Sequence, residues 1–427
     1  MKRNVIVAQS GGPSPVINSS LYGVIQGCRN YPDRFGNIYA AWHGVEGILL
    51  EELIDINLQE TREVELLKYT PAAGVIGTCR YKLKEEQKED FQRIIEVFQA
   101  HDIGYFFYIG GNDSMDTAKK VSDLAHERNY DLTVVGVPKT IDNDVGDEAF
   151  TIIDHTPGYG STARYWAYIT QNVIEENRGI NVSEPVAVLQ AMGRTAGFIP
   201  AAARLADPDR KEPIQLYLAE TDHNLESLGE NVNACLKKRG RCIVVVSEGF
   251  NVGTLGEAYD GFGHIEYGAS RTTVTQRVIN YLNENHLPVR GQATGQVPGV
   301  LQRGTSLFAS PVDIEEACQV GMKAVEIACT EGSGWMATIL RKPSEAYEVY
   351  FDKAPLDVVA NSHRQIPRQW ISKDGLDVTD DFIRYAQPLI GDGSPEIRIE
   401  KGIQRFARFT VQFIEKKTSD YIPIRLR

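Results

Sequence analysis

Five short apolar runs, each ending at glycine or a polar residue, constrain the fold of this chain more than any other feature. They are typical of buried strands, and segments with helical periodicity stand between them, at 85–101 and 114–128. We expect Ser114 to cap the N-terminus of the second segment. The alternation predicts an α/β chain with doubly wound parallel sheets. The runs lie at 4–12, 105–111, 133–139, 185–193 and 242–249.

The size of the chain allows more than one such sheet. With 427 residues and 42% hydrophobic content, it can form two or three domain-sized units with buried cores. The region 251–300 is the most loop-like, and the residues beyond 330 indicate a mixed appendage packed on the main body. Ligands of doubly wound sheets bind beyond the carboxyl ends of the strands. The glycine-rich strand ends are therefore expected to face one cleft.

Composition excludes several classes of function. The formal net charge of -12 leaves no basic face for a nucleic acid. Apolar stretches are too short to span a membrane, and the N-terminus has no signal-peptide core, so we expect a cytoplasmic protein without a membrane partner. The six cysteines show no C-x-x-C spacing, which disfavours a zinc site or a disulfide framework.

Two glycine-rich turns follow predicted strands. In SGGPSP, Gly11 and Gly12 can bring backbone amides onto an anion at a helix N-terminus, although the same pattern also suits an ordinary strand-to-helix turn. GGNDS repeats the arrangement with Gly111, and adds Asn112 and Asp113 where a metal or a polyphosphate would lie. Two such turns on neighbouring strands favour a phosphate site.

The segment PKTIDNDVG carries the strongest chemical signal. It places Lys139, Thr140, Asp142 and Asp144 directly after a strand. Because the two carboxylates are two residues apart, they point to the same side of an extended segment. One could then accept a proton while the other reaches a metal ion. Alternatively, Asp142 only caps the following helix.

Five motifs in this order resemble the series found in the phosphofructokinase family. They are GGNDS, PKTIDND, QAMGRTAG, SEGF and VPGVLQRG, and the match runs from about residue 4 to residue 304. The segment 359–367 and DFIRYAQPLIG are similar to the C-terminal extension of long pyrophosphate-dependent members. The resemblance implies two Rossmann-like lobes with a mixed α/β extension. The implied phosphoryl-donor lobe is 1–148 plus about 303–345, and the sugar-phosphate lobe is 149–302 plus about 346–427.

The resemblance also implies roles for single residues. Asp142 matches the general base that takes the proton from the 1-hydroxyl of the sugar, and Thr140 would hold that hydroxyl in line. Arg80 matches an arginine that offsets charge on the transferring phosphoryl group. Pyrophosphate is expected at Gly11, Gly12, Gly111 and Ser114, and the sugar phosphate at Thr140, Met192, Gly193, Arg194, Glu248 and Arg303.

Two positions distinguish pyrophosphate from ATP as the donor. ATP-dependent members commonly have glycine where this chain has Asp113 and Lys139. A carboxylate about 4 Å from the α-phosphate costs roughly 4 kcal/mol at an effective dielectric near 20, which is about a thousandfold in affinity. The ammonium of Lys139 would offset charge on the leaving phosphate. We therefore predict pyrophosphate as the donor, and we expect glycine at both positions to admit ATP.

The metal site departs from the family pattern. Asn112 stands where many members have an aspartate that helps to hold magnesium. An amide oxygen is still a hard ligand, so we expect Mg²⁺ to arrive largely with pyrophosphate. Asp113 or Asp144 would supply part of the missing negative charge.

The acceptor's phosphate site departs further. Val300 lies where the family usually has histidine or tyrosine, and Pro185 and Thr294 lie where many bacterial members have arginines lent by a neighbouring subunit. Arg290, Arg164 or a residue of the C-terminal extension could replace them. A seven-carbon ketose phosphate therefore remains a candidate acceptor.

The resemblance as a whole predicts a phosphotransferase. The expected reaction is pyrophosphate-dependent phosphorylation of D-fructose 6-phosphate to fructose 1,6-bisphosphate with release of phosphate, reversible and Mg²⁺-dependent, in glycolysis or gluconeogenesis. The alternatives are an ATP-dependent 6-phosphofructokinase, a pyrophosphate-dependent sedoheptulose-7-phosphate kinase, and a catalytically silent regulatory subunit. Family resemblance further suggests a homodimer or homotetramer.

Overall fold

A computed structural model describes residues 2–84, 86–360 and 362–427. Within these residues, the strands form a seven-stranded sheet, a four-stranded sheet and a two-stranded hairpin. The predicted α/β architecture with two lobes is confirmed. In chain order the strands are β1 Arg3–Gln9, β2 Phe35–Ala41, β3 Leu53–Asp55, β4 Ile103–Gly110, β5 Thr133–Pro138, β6 Val186–Ala191, β7 Ile214–Tyr217, β8 Cys242–Ser247, β9 Ala293–Gln296, β10 Trp335–Arg341, β11 Val349–Pro355, β12 Ile399–Glu400 and β13 Ile403–Gln404.

The helices cover the two larger sheets, because parallel strands that are apolar on both faces must be shielded from water. In chain order they are α1 Ile17–Arg29, α2 Val45–Leu50, α3 Thr61–Leu66, α4 Lys88–Ala100, α5 Asn112–Glu127, α6 Tyr159–Ile180, α7 Phe198–Ala202, α8 Leu225–Arg239, α9 Val274–Glu284, α10 Leu301–Gly304, α11 Pro311–Thr330, α12 Leu356–Ala360 and α13 Asp380–Ile390. The predicted helix 85–101 corresponds to α4, and its first residue lies outside the described residues.

The larger sheet has the order β11-β10-β5-β4-β1-β2-β3. Its inner strands run parallel, whereas β3 and β11 are antiparallel to their neighbours. The smaller sheet has the order β7-β8-β6-β9 and is parallel throughout. The five predicted runs are β1, β4, β5, β6 and β8, so each of them is a strand of one of these sheets.

The carboxyl ends of these strands are held in register. Gly110 at the end of β4 pairs with Pro138 at the end of β5, and Ala191 of β6 pairs with Ser247 of β8. The residues that follow each strand are therefore neighbours in space. The chain first crosses from the first lobe to the second after β5 and first returns through the residues around α10, so these two crossings border the same edge.

The structure divides the C-terminal extension differently from the prediction, which placed about 346–427 in the second lobe. The strand β11 pairs antiparallel with β10 in the larger sheet, because the short connection between them forms a hairpin. Phe413 bridges Ile54 of β3, and the hydroxyl of Tyr421 donates to Asp90 of α4 at 2.6 Å. Within the described residues, the part of the extension that packs in the core of the second lobe is chiefly 366–390, which includes α13.

The region 251–300, interpreted as the most loop-like, also contains the eleven-residue helix α9 and the strand β9. One other expectation needs correction. The cap of α5 is Gly111, and Ser114 lies within its first turn; the glycine pair lets the helix begin earlier than the serine.

No helix in the described part of the chain is long and apolar enough to cross a membrane. The six cysteines are free thiols, four of them buried and two half-buried.

Candidate active site

A cleft of about 410 Å³ lies where the carboxyl ends of the strands of both lobes meet. All the site residues predicted from the sequence line this one cleft. They are Gly11, Gly12, Arg80, Gly111, Asn112, Asp113, Ser114, Lys139, Thr140, Asp142, Asp144, Met192, Gly193, Arg194, Glu248 and Arg303.

The turn after β1 is lined with cations. Gly11 has a φ of +78°, which favours glycine. A Cβ atom at Gly12 would lie 2.5 Å from the guanidinium of Arg303 and 3.3 Å from that of Arg80, and one at Gly11 would lie 3.2 Å from Nζ of Lys139. Glycine is therefore required here for the close approach of three positive groups, an arrangement that suits an anion.

The N-terminus of α5 forms the opposite wall. A helix of 16 residues begins at Asn112 after Gly111, and its dipole favours negative charge at this end. The amide oxygen of Asn112 is shielded from solvent and has no hydrogen-bond partner. Asp113 forms an ion pair with Lys82 at 2.6 Å, so its negative charge is held at this wall.

Lys139 lies directly behind the turn after β1. Its Nζ donates to the carbonyl of Gly12 at 2.7 Å, and the residue is only 4% exposed. Burial, together with the charges of Arg303 and Arg80, lowers the pKa of Lys139 to about 7. A bound polyanion would reverse this effect, because negative charge beside the ammonium favours its protonated form.

The turn after β5 presents Asp142 to the centre of the cleft. Its backbone amide donates to the hydroxyl of Thr140 at 3.1 Å. Burial and the neighbouring carboxylate of Asp144 raise the pKa of Asp142 to about 6. A carboxylate with this pKa is ionised at neutral pH and is a stronger base than an ordinary aspartate, as general-base catalysis requires.

Arg364 of the C-terminal extension clamps this turn from behind. Its fully buried guanidinium donates to the carbonyl of Asn143 at 3.0 Å, to the side-chain oxygen of Asn143 at 2.8 Å and to the carbonyl of Ile153 at 2.7 Å. Its backbone amide donates to the carbonyl of Asp144 at 2.8 Å. Sequence reasoning assigned Arg364 no role, and its only signal was the resemblance of 359–367 to the family's extension.

The second lobe supplies the other half of the cleft. Oε1 of Glu248, after β8, accepts a hydrogen bond from the backbone amide of Arg194 at 3.1 Å. Burial and the charge of Asp142 raise the pKa of Glu248 to about 8, so its carboxyl group is protonated at neutral pH and can donate a hydrogen bond to a ligand hydroxyl. Gly193 has a φ of +123°, which brings the chain after β6 into this position.

A family model described as "Phosphofructokinase" matches residues 4–328. The chain belongs to the phosphofructokinase family. Its recognition from the five motifs is confirmed.

Similar proteins match the chain over nearly its whole length. It is 38% identical to the pyrophosphate–fructose 6-phosphate 1-phosphotransferase of Halomonas elongata, over 98% of this chain and 99% of that protein. It is 28% identical to the sulfofructose kinase of Alkalicoccus urumqiensis, over 86% and 92%. The crystal structure of a pyrophosphate-dependent phosphofructokinase from Marinobacter aquaeolei superimposes with a TM-score of 0.87 at 37% identity, covering 98% and 99%.

This phosphofructokinase-family chain has further cleft residues that sequence reasoning missed. Phe262, His264, Glu266 and Tyr267 come from the segment interpreted as loop, and His363 comes from the extension. No spacing rule singles them out, because only the tertiary fold brings these two segments to the cleft.

Arg164, Arg290 and the C-terminal extension, which were expected to replace the acceptor-phosphate arginines, differ in whether they reach the cleft. The guanidinium of Arg164 is engaged by the carbonyls of Ile390, Gly391 and Gly393, each at 2.7 Å, so it does not reach the cleft of its own chain. Arg290 is exposed on the surface. From the extension, His363 lines the cleft, with Nε2 3.2 Å from the hydroxyl of Thr195.

The residues present fit a magnesium ion that brings most of its own ligands. Within the described residues, no three His, Cys, Asp or Glu side chains are placed to hold a metal ion. The unpartnered amide oxygen of Asn112 and the carboxylate of Asp144 face the same cleft. Mg²⁺ keeps several waters and commonly takes one or two protein ligands beside substrate phosphates.

The clamp on the turn gives a first prediction. Replacing Arg364 by Met keeps most of its volume but removes its hydrogen bonds, so Asp142 should lose its position, and kcat should fall by about 100-fold. Because Arg364 is fully buried and does not line the cleft, the KM values should change much less. Steady-state kinetics measures both, and Arg364→Lys should recover part of kcat. If both variants lost activity only because less of the protein was folded, kcat per folded molecule would be unchanged. That result would contradict the role of Arg364 as a clamp.

The buried lysine gives a second prediction. Lys139 is charged below its pKa of about 7, so kcat/KM for the anionic donor should fall as the pH rises through that value. Lys139→Arg should remove this alkaline limb, because arginine stays protonated. The hydrogen bond that Lys82 donates to Asp113 raises the pKa of Lys82, so Lys82→Arg is the matched control and should leave the limb in place. An unchanged limb in Lys139→Arg would exclude Lys139 as its source.

Proposed function

We propose that this chain transfers a phosphoryl group from pyrophosphate to the 1-hydroxyl of fructose 6-phosphate, giving fructose 1,6-bisphosphate and phosphate in a reversible reaction. The observation that carries the proposal is the place of Lys139. Its ammonium lies behind the glycine turn and beside Asp142, where a diphosphate can neutralise it. The printed names of the Halomonas and Marinobacter relatives support the same donor.

The proposed chemistry needs one base and several cations. Asp142 takes the proton of the acceptor hydroxyl while that oxygen forms a bond to the terminal phosphorus. The bridging P–O bond breaks, and orthophosphate leaves. Thr140 orients the hydroxyl, and Lys139 and Arg80 stabilise the charge on the phosphoryl oxygens. Glu248, protonated at neutral pH, donates to a sugar hydroxyl.

Arg303 was expected at the sugar's 6-phosphate. Its guanidinium lies over Gly12, close to Arg80, and so faces the donor turn as well as the acceptor side. We propose that it reaches the acceptor phosphate after turning away from Gly12, and that His363 lines the path of the sugar.

Magnesium is proposed to bind through Asn112 and Asp144. When bound, it neutralises charge on the phosphates. The orphaned oxygen of Asn112 would gain a partner in this way, which removes the desolvation penalty of an unpaired buried acceptor. An ion bound to Asp144 would also weaken the electrostatic repulsion between Asp144 and Asp142.

Donor selection is proposed to depend on Asp113 at the N-terminus of α5. This is where the chain of a longer donor would continue, and the carboxylate repels further phosphate there. The first lobe then binds the donor and the second lobe binds the sugar phosphate, with Asp142 between them. The proposed setting is the cytoplasm, in glycolysis or gluconeogenesis.

We also propose that the chain is a homodimer or homotetramer. Val300 and Leu301, each 62% exposed, and Leu307, 54% exposed, stand beside Arg303 on the surface. Apolar side chains grouped in this way favour coverage by another subunit. Such a subunit could supply the cations that Pro185 and Thr294 lack.

The proposal predicts a clear donor preference. A coupled assay should show turnover of fructose 6-phosphate with pyrophosphate and Mg²⁺ and little or none with ATP. Asp142→Asn should lower kcat by about 10²- to 10⁴-fold, the usual contribution of a general base. Asp144→Asn is the matched control, and it should chiefly raise the Mg²⁺ concentration needed for half-maximal rate.

Sedoheptulose 7-phosphate is the second acceptor in this assay, because the acceptor-phosphate site is where the chain leaves the family pattern. A higher kcat/KM for the seven-carbon sugar would show that the proposed acceptor is wrong, while the proposed donor would stand. Higher activity with ATP than with pyrophosphate would refute the proposed donor. Inactivity with both donors and both sugars would indicate a regulatory subunit.

A further inference from the structure

A segment of the second lobe between β8 and α9 crosses the donor side of the cleft. We call residues 256–271 the strap. Its base is closed by a hydrogen bond from the amide of Arg271 to the carbonyl of Gly256 at 3.2 Å, and its two arms pair where Tyr259 bridges Ile265. The tip, residues 260–264, therefore projects as a short hairpin rather than as a free loop.

Asp260 fixes the shape of the tip and ties it to both lobes. Its Oδ1 accepts from the amides of Phe262 at 2.8 Å and His264 at 3.0 Å. Its Oδ2 lies 3.0 Å from Arg80 of the first lobe and 3.6 Å from Arg194 of the second. The carboxylate is only 3% exposed. A buried carboxylate with both oxygens engaged holds the tip in one place.

The tip packs directly on the donor wall. A Cβ atom at Gly261 would overlap the carbonyl oxygen of Arg80, and Phe262 lies 3.8 Å from the Cβ position of Gly11. Nε2 of His264 lies 3.6 Å from one oxygen of Asp113, and Lys82 holds the other oxygen at 2.6 Å.

These contacts lie where a longer donor would have to continue. The transferred phosphoryl group must face Asp142, so the leaving phosphate points away from it, toward Asp113 and the N-terminus of α5. A third phosphate would have to pass Asp113, which stands between Lys82 and His264. Beside it, Phe262 covers Gly11.

We propose that the tip of the strap limits the length of the phosphoryl donor, with Phe262 and His264 ending the donor pocket after the second phosphate. This inference rests on the proposed function, since it takes pyrophosphate as the donor. It adds a steric barrier to the charge of Asp113. From the sequence, replacing both Asp113 and Lys139 by glycine was expected to admit ATP. If the tip limits donor length, this double substitution does not admit ATP unless the tip is also changed.

Inorganic tripolyphosphate tests length without a nucleoside. The chemistry is the same with either donor: the acceptor oxygen bonds to the terminal phosphorus, its proton goes to Asp142, and the bridging P–O bond breaks. Diphosphate leaves from tripolyphosphate, whereas orthophosphate leaves from pyrophosphate. No other reactant is needed.

The experiment compares four full-length proteins: the unaltered chain, Phe262→Ala/His264→Ala, Asp113→Gly and the combination of all three changes. Tyr259→Ala, on the same strap but with a side chain that is 68% exposed, is the matched control. The ratio of kcat/KM for tripolyphosphate to that for pyrophosphate is measured with saturating fructose 6-phosphate and Mg²⁺. Calorimetric titration gives the corresponding ratio of dissociation constants.

The tip variant should raise this ratio by about 10-fold or more, as expected for removing a steric barrier in a pocket. Tyr259→Ala should leave it nearly unchanged, Asp113→Gly alone should raise it because the charge repulsion is lost, and the triple variant should give the highest ratio. Efficient use of tripolyphosphate by the unaltered chain, or an unchanged ratio in the tip variant, would overturn the proposal.

Two results separate this inference from the proposed function. If the unaltered chain does not turn over pyrophosphate, the proposed function fails, while the ratio of dissociation constants still decides the role of the strap. If the double alanine variant does not fold, as judged by circular dichroism, His264→Ala alone is measured against the same criteria.

Discussion

The arrangement of the cleft depends on how one buried asparagine is held. Asn143 lies between Asp142 and Asp144, at a point where the backbone turns. Its side chain is held inside the protein by Arg364, Tyr385 and the amide of Thr156, whereas both carboxylates line the cleft. The φ of Asn143 is +57°, a conformation that asparagine tolerates better than most residues. A rotation of this one residue would remove the base from the cleft.

The electrostatics of the cleft suit a polyanion. Lys139, Arg80 and Arg303 converge on the donor turn, and burial of like charges lowers the pKa of Lys139 to about 7. The carboxylates of Asp142 and Glu248 show the opposite shift, with pKa values raised to about 6 and about 8. A bound magnesium diphosphate would bring negative charge to the cations and positive charge to the carboxylates. The pKa values of both sets of groups would then move back toward their ordinary values.

The strands and the site residues could be predicted from the sequence because both are local signals. An apolar run followed by glycine marks the end of a strand, and parallel strands bring these ends to one edge, so Gly11, Gly111 and Asp142 met as expected. The contacts that hold them could not be predicted. Arg364 binds Asn143 across 221 residues of chain, and Arg80 meets Asp260 across 180.

Prediction from local patterns also failed where two alternative structures of a segment have similar free energies. Ser114 has the side chain of a helix cap, but Gly111 begins α5 three residues earlier, because glycine tolerates the extended cap conformation equally well. The division of the C-terminal extension between the lobes depended on whether β11 followed β10 into the larger sheet. Pairing of neighbouring strands is a tertiary choice that no single segment specifies.

The reverse reaction tests the central claim most directly. Fructose 1,6-bisphosphate, orthophosphate and Mg²⁺ are incubated with the protein and followed by ³¹P NMR, with ADP present in a parallel sample. The account predicts a growing pyrophosphate resonance in both samples and no ATP in the second. Formation of ATP without pyrophosphate would contradict it.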